Sequence, residues 1–260
     1  MKIASWNVNS LRVRLPHLLD WLKANPVDVI GLQELKLVDE QFPIAELQAL
    51  GYHAAVNGQK TYNGVALLSR HPLEHVARDM PGYGDDHRRI IAATVNAGTS
   101  SEVRVVSAYV PNGHAVGTEK YAYKLRWLQA CKEYLNGELC RTQQLAVVGD
   151  YNIAPTDADV HDPVRWEGSV LCSEPERAAF RALEALGLKD AFTLFPRPEQ
   201  PYTWWDYRSF AFRRNLGLRI DHVLLSAPLA QKCSSFQIDT TPRRLERPSD
   251  HAPVVVNLNL

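Results

Sequence analysis

Short apolar runs alternate with helical patterns through the first half of the chain. The first helix carries leucines at helical spacing and ends before Pro26, because the residue preceding a proline disfavours the α region. Regular alternation of strands and helices is typical of α/β proteins. The pattern predicts a strand over residues 2–7, a helix over 12–24, a strand over 27–34 and a helix over 39–50.

The order of elements changes after residue 64. Three strand-like runs, at residues 65–69, 90–95 and 103–110, follow one another without a helix between them, which favours antiparallel pairing. Two batches of strands with helices between them predict two packed mixed β-sheets flanked by helices, a four-layer α/β sandwich. In the second half we predict helices over residues 119–139 and 174–186, and strands over 145–148, 220–225 and 253–258.

Composition adds limits to this picture. The chain has 260 residues and no linker-like stretch, so we predict one domain over residues 1–260. Its four cysteines lack CxxC spacing, and no apolar stretch has the length of a signal-peptide core or a membrane span. We therefore expect a cytoplasmic monomer with reduced thiols and no membrane association.

Charge leaves two alternatives open. Lys and Arg total 29 and Asp and Glu total 29, a balance that argues weakly against a nucleic-acid ligand. Arginines nevertheless gather late in the chain, where they form either a solvated surface or contacts to phosphate groups. They stand at Arg208, Arg213, Arg214, Arg219, Arg243, Arg244 and Arg247.

Polar residues stand repeatedly at the ends of the apolar runs. Any one of them is more often a turn former or a helix cap. Together they indicate a site, because strand ends converge at one edge of a sheet, where α/β proteins commonly bind ligands. The set comprises Asn7, Asn9, Glu34, Tyr109, Asp150, Asn152, Asp221, Asp250 and His251.

The donor types in this set point to a hard metal ion. Oxygen ligands without a Cys/His cage favour Mg²⁺, with Mn²⁺ as a substitute, over Zn²⁺. Gln33 and Glu34 lie on opposite faces of a strand, and we expect Glu34 to face the site. His251 has either Asp221 or Asp250 as its carboxylate partner. A metal, a carboxylate and an oriented imidazole are suited to phosphodiester hydrolysis.

Eight motifs in order along the chain carry a family resemblance. The chain resembles the exonuclease III family of bacterial apurinic/apyrimidinic (AP) endonucleases, within the endonuclease/exonuclease/phosphatase superfamily. The resemblance implies a DNase I-like sandwich and a Mg²⁺-dependent enzyme of base excision repair, located with the nucleoid. The motifs are WNVNS (6–10), LQELK (32–36), GQKTYNGVALLS (58–69), YVPNG (109–113), GDYNIAP (149–155), YTWWDYR (202–208), LGLRIDH (216–222) and RPSDHAP (247–253).

The resemblance also implies roles for individual residues. Asp150 would activate the attacking water, Asn152 would hold that water or the phosphate, and Tyr109 would stabilise charge on the phosphate. His251, oriented by Asp221, would polarise a phosphate oxygen. Glu34 would bind the metal, with Asn7, Asn9 and Asp250 close to it. DNA contacts would come from Lys60, Asn63, Asn112 and Arg208, and an apolar pocket for the base-free sugar from Trp204, Leu218 and Ile220.

The implied substrate is double-stranded DNA that contains abasic sites or blocked 3′ ends. Strand geometry lets only one of Trp204 and Trp205 face a pocket, so we expect the other in the core. Two departures affect specificity: Asn112 is shorter than the glutamine of exonuclease III, and Gly168 is expected to leave the pocket open to internal abasic sites. Two alternatives are a superfamily phosphatase or phospholipase acting on inositol phosphates or sphingomyelin, and a catalytically silent DNA-binding module.

Overall fold

A computed structural model describes residues 1–260 and contains two six-stranded sheets. The helices are α1 (Leu11–Ala24), α2 (Ile44–Ala49), α3 (Glu119–Arg141), α4 (Pro163–Trp166), α5 (Glu174–Glu184) and α6 (Ala227–Lys232). The strands are β1 (Lys2–Asn7), β2 (Val29–Gln33), β3 (His53–Asn57), β4 (Val65–Ser69), β5 (Leu73–Arg78), β6 (Ile90–Val95), β7 (Val103–Tyr109), β8 (Leu145–Asp150), β9 (Leu188–Asp190), β10 (Asp221–Ser226), β11 (Cys233–Ile238) and β12 (Val254–Leu258).

The two sheets have matching topologies. One sheet has the order β11-β12-β1-β2-β4-β3 and the other the order β5-β6-β7-β8-β10-β9. Each contains a single parallel pair near its centre, β1 with β2 and β7 with β8, and every other pairing is antiparallel. Both sheets are therefore mixed, and each has two central strands that end at the same edge.

Three apolar clusters build the four layers. One lies between the sheets and joins residues such as Val29 of β2 with Val148 of β8. A second packs α1, through Leu18 and Trp21, on the outer face of the first sheet. The third packs α3 and α5 on the outer face of the second sheet. The predicted four-layer α/β sandwich is confirmed, and none of the helices has the length and apolar character needed to cross a membrane.

Two predicted elements differ from the structure. The helix predicted over residues 39–50 is a 3₁₀ turn at Asp39–Gln41 followed by α2, because Pro43 forces Phe42 into an extended conformation with ψ 133°. The strand β4 does not pair with β6, as the run of consecutive strands predicted. It pairs with β2 and β3 in the other sheet, so only β6 and β7 form the expected antiparallel pair.

Candidate active site

Strand ends from both sheets meet at one edge of the sandwich. Asn7 at the end of β1 is in register with Gln33 at the end of β2. In the second sheet, Asp150 at the end of β8 is in register with Tyr109 of β7 and with Asp221, where the antiparallel β10 begins. Most of the predicted polar residues therefore lie at one edge, as their positions after apolar runs indicated.

The backbone turns sharply where these strands end. Asn9, Glu34 and Asn152 have positive φ angles of 42°, 54° and 51°. Such conformations cost a residue with a Cβ atom roughly 1–2 kcal/mol and persist where surrounding contacts fix them. At Asn152 the backbone N–H donates to Asp150 Oδ1 at 2.9 Å. The turn therefore holds the carboxylate of Asp150 and the amide of Asn152 in one fixed relation.

Glu34, Asp150 and His251 form the centre of the site. One ligand atom from each lies within 4.8 Å of the others, a grouping that could hold a metal ion. Asn7 connects two of them, because its Nδ2 donates to Glu34 Oε1 at 2.9 Å and to Asp150 Oδ2 at 2.9 Å. Its own Oδ1 accepts a hydrogen bond from the backbone N–H of Asn9. Asn7 thus fixes the two carboxylates as a hydrogen-bond donor.

Glu34 has two further partners. Tyr109 donates its hydroxyl to Glu34 Oε1 at 2.9 Å, and Lys36 Nζ lies 2.9 Å from Glu34 Oε2. Burial and the neighbouring Glu34 carboxylate raise the pKa of Tyr109 well above its ordinary value, so its hydroxyl stays protonated. Gln33 is buried between the sheets on Ser107, and the choice of Glu34 over Gln33 agrees with this geometry.

The imidazole of His251 has Asp221 as its partner. Nδ1 lies 2.9 Å from Asp221 Oδ2, and Nε2 lies 3.6 Å from Asp150 Oδ2. Burial alone would lower the pKa of His251, but the carboxylates of Asp221 and Asp150 outweigh it and raise the pKa to about 10. The ring is therefore an imidazolium at neutral pH in the absence of a metal.

For Asp150, unlike His251, burial outweighs the neighbouring groups that favour the charged form. Burial raises its pKa to about 7, although His251 and the Asn7 amide favour the charged form. A carboxylate whose pKa lies near neutrality can accept a proton during a reaction. Asn152 Nδ2 donates to Asp150 Oδ2 at 3.2 Å and Asn152 Oδ1 accepts from Asn112 Nδ2 at 3.0 Å. This arrangement brings Asn112, expected as a substrate contact, next to the centre.

Asp250 and Asn9 lie beside the centre and outside its three-residue group. Asp250 accepts hydrogen bonds from Asn9 Nδ2 at 2.8 Å and from Trp204 Nε1 at 2.9 Å. Burial would raise the pKa of Asp250, but the positive charge of His251 and these donors hold it below its ordinary value. Lys36 donates to Asn9 Oδ1 at 2.6 Å and so connects Asn9 to Glu34.

An apolar cluster adjoins this side of the centre. Trp204 pairs through its backbone with Leu218 on one side and with His251 on the other. Trp205 is buried with Tyr202 and Ala211 in a separate core cluster, as one of the two tryptophans was expected to be. The apolar cluster contains Ala154, Val160, Leu171, Cys172, Leu218 and Ile220, with Trp166, Val170 and Trp204 packed against it.

The remaining predicted contacts differ in exposure. Lys60, Asn112 and Arg208 are exposed, whereas Asn63 is buried and donates to Gln59 Oε1 at 2.9 Å. Asn63 is joined to the site through its carbonyl, which accepts from the N–H of Lys36. A cavity of about 660 Å³ shares no residue with the site, and its lining includes Phe192, Phe212 and Phe236.

Several residues that hold the site in place lie outside the predicted set. Lys36 lies inside the recognised LQELK motif, yet a lysine at a strand end is ordinarily a surface residue. Thr203 is fully buried, and its Oγ1 accepts the N–H groups of Ile220 and Asp221. Ser249 donates to the carbonyl of Asn7 at 2.7 Å. Only the position of each beside a recognised site residue could have indicated these roles.

Comparison with known proteins places this geometry in a family. The model described as the Endonuclease/Exonuclease/phosphatase family matches residues 4–251. The chain belongs to this family. Exodeoxyribonuclease III of Haemophilus influenzae is 38% identical to it over 98% of both sequences.

Solved structures from the family superpose along the whole chain. The 3′ phosphatase NExo from Neisseria, bound to a product DNA hairpin, is 45% identical, and 100% of both chains align with a TM-score of 0.96. An AP endonuclease from Archaeoglobus fulgidus is 36% identical, with 100% of both chains aligned and a TM-score of 0.94. The DNase I-like fold implied by the sequence motifs is thus confirmed.

Proposed function

We propose that the protein is a Mg²⁺-dependent DNA phosphodiesterase of base excision repair. It cleaves double-stranded DNA 5′ to abasic sites and removes 3′-blocking groups, with 3′–5′ exonuclease activity on duplex ends. The observation that carries this proposal is the contact between two features. Trp204 of the apolar cluster is joined to Asp250 by a side-chain hydrogen bond and to His251 through the backbone, so the apolar cluster adjoins the charged centre.

Asp150 is the group that orients and deprotonates the attacking water. Its burial and its pKa near 7 suit a base that operates at neutral pH. Asn152 is fixed next to it and has an amide that can hold the water or a phosphate oxygen. Asn7, Asn152 and His251 surround Asp150, so the direction of its free lone pairs is set before substrate arrives.

His251 and Tyr109 stabilise the charge that develops on phosphorus-bound oxygens. The His251 imidazolium, oriented through Nδ1 by Asp221, donates from Nε2 to a non-bridging oxygen. Tyr109 keeps its proton, which Glu34 Oε1 accepts in the substrate-free protein and which a phosphate oxygen would accept in its place. Donors fixed in a buried site stabilise developing charge more than they do in water, because the surrounding dipoles need not reorganise.

Glu34 would supply the carboxylate oxygen that Mg²⁺ prefers, and ligand atoms of Asp150 and His251 lie within 4.8 Å of it. A bound ion would supply Lewis-acid polarisation of a phosphoryl oxygen. Asn7, Asn9 and Asp250 lie around this group, where they orient the carboxylate ligands and any bound water. Lys36, paired with Glu34, balances part of the negative charge in the metal-free protein.

Trp204, Leu218 and Ile220 select the substrate by size. A sugar without a base leaves the helix at little cost and fits a small apolar pocket, whereas a normal nucleotide must first be unstacked and unpaired. Lys60, Asn112 and Arg208, which are exposed, contact the DNA backbone. Asn63 is buried and acts indirectly, through its hydrogen bonds to Gln59 and to the N–H of Lys36. The relatives named after exodeoxyribonuclease, 3′ phosphatase and AP endonuclease activities support this substrate class.

The test is a synthetic duplex with one abasic site, incubated with Mg²⁺ or with EDTA. We expect incision 5′ to the abasic site in Mg²⁺, leaving a 3′-hydroxyl, and no product in EDTA. A nicked duplex with a 3′-phosphate, tested in parallel, should lose its phosphate. Turnover of inositol phosphates or sphingomyelin without DNA cleavage would overturn the proposal in favour of the phosphatase or phospholipase alternative.

A further inference from the structure

Lys124 is a fully buried lysine directly behind the candidate site. It lies in the second turn of α3, and its side chain has no exposed surface. Nζ donates to the carbonyl of Asn152 at 2.6 Å and to the carbonyl of Asn112 at 3.2 Å, and it forms an ion pair with Glu176. The three donors of the ammonium group therefore have three partners in three separate segments.

Glu176 extends the connection to the wall of the apolar pocket. Its side chain is also fully buried. Oε1 accepts the N–H of Leu171 at 3.0 Å, and Oε2 accepts the N–H of Ser173 at 3.2 Å together with the Ser173 hydroxyl. Leu171 belongs to the apolar cluster beside Trp204. The ion pair thus joins the loops after β7 and β8 to the segment that lines the pocket.

We propose that Lys124 and Glu176 are a positioning pair, which fixes Asn152 and Asn112 relative to the pocket wall. The inference rests on the proposed function, since it concerns the placement of groups that this function uses. Asn152 adopts a left-handed backbone conformation with φ 51°, which needs outside support, and its carbonyl has Lys124 as that support. Neither Lys124 nor Glu176 contacts the substrate in the proposed function.

Loss of the pair should affect the rate of the chemical step more than substrate binding. Displacement of a positioned group by about 1 Å can lower a rate by as much as 10²-fold. Most of the proposed binding surface, including Trp204, Arg208 and Lys60, has no contact with the pair. We therefore expect a lower rate of cleavage of bound substrate, with the affinity for the abasic duplex little changed.

The test uses the double variant Lys124→Met/Glu176→Gln, which removes both charges together. Removing one partner alone would leave an unpaired buried charge, the more destabilising change. The matched control is Arg104→Met/Glu138→Gln. Arg104 of β7 and Glu138 of α3 also form a buried ion pair, with Nε to Oε2 at 2.6 Å, and Arg104 also donates to a backbone carbonyl. Glu138 lies about 21 Å farther along α3 than Lys124, at 1.5 Å per residue.

Cleavage is measured in single turnover with saturating enzyme, where the rate constant does not depend on the folded fraction. We expect the Lys124 double variant to be at least tenfold slower than the parent, and the control to remain within about twofold. Equal rates in the two double variants would overturn the positioning role. An inactive parent would instead contradict the proposed function itself.

The single variant Glu176→Asp covers the case in which the double variant does not fold. It keeps the negative charge that pairs with Lys124, but its shorter side chain cannot keep all the contacts to Lys124, Leu171 and Ser173. We expect a rate about threefold or more below that of the matched Glu138→Asp variant, with similar melting temperatures for the two variants. Identical rates would contradict the inference.

Discussion

His251 is surrounded by acidic groups that raise its proton affinity. Asp221 contacts Nδ1, and Asp150 lies on the Nε2 side. Because the folded-state pKa of about 10 lies above the ordinary 6.5, the imidazolium pairing stabilises the fold fully below pH 6.5. This stabilisation is lost as the pH rises through about 10. A protonated His251 over the neutral range is what its proposed role as a donor requires.

Replacement of Asp221 by Asn should return the His251 titration towards neutrality. We expect the midpoint of the His251 ring signal, followed by NMR in EDTA, to lie far above pH 6.5 in the parent and to fall in the Asp221→Asn variant. His222, next in sequence, has Ile153 and Arg219 as its ring partners and serves as an internal control. An unchanged His251 midpoint in the variant would exclude Asp221 as the source of the shift.

Residue types explain which parts of the site the sequence predicted. Carboxylates and histidines after apolar runs are conspicuous, and the three groups at the centre, Glu34, Asp150 and His251, were all in the predicted set. Residue types alone left the partner of His251 open between two carboxylates, and the family resemblance implied Asp221. The pairing of β10 with β8 places Asp221 there. Lys124 was missed because a lysine inside a helical pattern normally lies on the surface.

Among the secondary structure elements, the eight inner strands were predicted and the four edge strands were not. The edges of the two sheets are β11, β3, β5 and β9. Inner strands are apolar runs because they are covered on both faces, whereas β5 is largely exposed and β9 has three residues. Periodicity therefore identified the strands that carry the site and left the sheet borders unassigned.

The segment after α4 should control access to the pocket. Gly168 has φ 66°, and a Cβ atom added there meets nothing within 4 Å. Trp166 and Val170, on either side of it, pack against the apolar cluster. We predict that Gly168 leaves the pocket open, so that the parent cleaves internal abasic sites and Gly168→Phe loses much of this incision while keeping 3′-phosphate removal.

Incision and 3′-phosphate removal are compared in the Gly168→Phe variant and in Gly98→Phe. Gly98 is a matched control, because it also has a positive φ, 74°, and open space around it, but lies in the turn before β7, away from Tyr109. We expect the control to keep both activities. A parent that trims 3′ ends without incising abasic sites would contradict the open-pocket prediction, as would equal incision by the two variants.

Across the whole molecule, the apolar cluster between the sheets contains residues from β1 to β12. This continuity supports the proposal of a single domain over residues 1–260.

The late arginines divide into two groups that the sequence could not separate. Arg208, Arg213, Arg214, Arg244 and Arg247 are exposed, whereas Arg219 and Arg243 are buried. A run of arginines in the sequence therefore overstates the basic surface available to DNA.

Arg219 holds two buried carboxylates, Asp159 and Asp190, each at 2.6 Å. Burial would raise the pKa of both acids, but the Arg219 guanidinium outweighs it and lowers them. Depressed folded-state pKa values stabilise the fold above the ordinary value of about 4, and this stabilisation is lost as the pH falls through the folded-state values. The network should therefore contribute most at neutral pH.

Arg219→Met should lower the free energy of unfolding by about 3–5 kcal/mol at pH 7, since it leaves buried carboxylates uncompensated. Urea unfolding at pH 7 and pH 4 measures this loss. We expect a smaller difference from the parent at pH 4, where the acids of the variant are protonated. The exposed pair Arg181 and Glu174 offers a control, and Arg181→Met should cost less than about 1 kcal/mol. A loss independent of pH would contradict the electrostatic account.

Asp150 drives DNA cleavage at the proposed site, and the Asp150→Asn variant is the direct test of this role. The control is Asp157→Asn, an acid in the same chain segment whose side chain is 70% exposed. On a duplex with one abasic site in Mg²⁺, we expect the Asp150 variant to bind the DNA but to cleave it roughly 10²–10⁴-fold more slowly than the parent. The Asp157 variant should match the parent. Cleavage by Asp150→Asn at the parental rate would contradict the catalytic assignment.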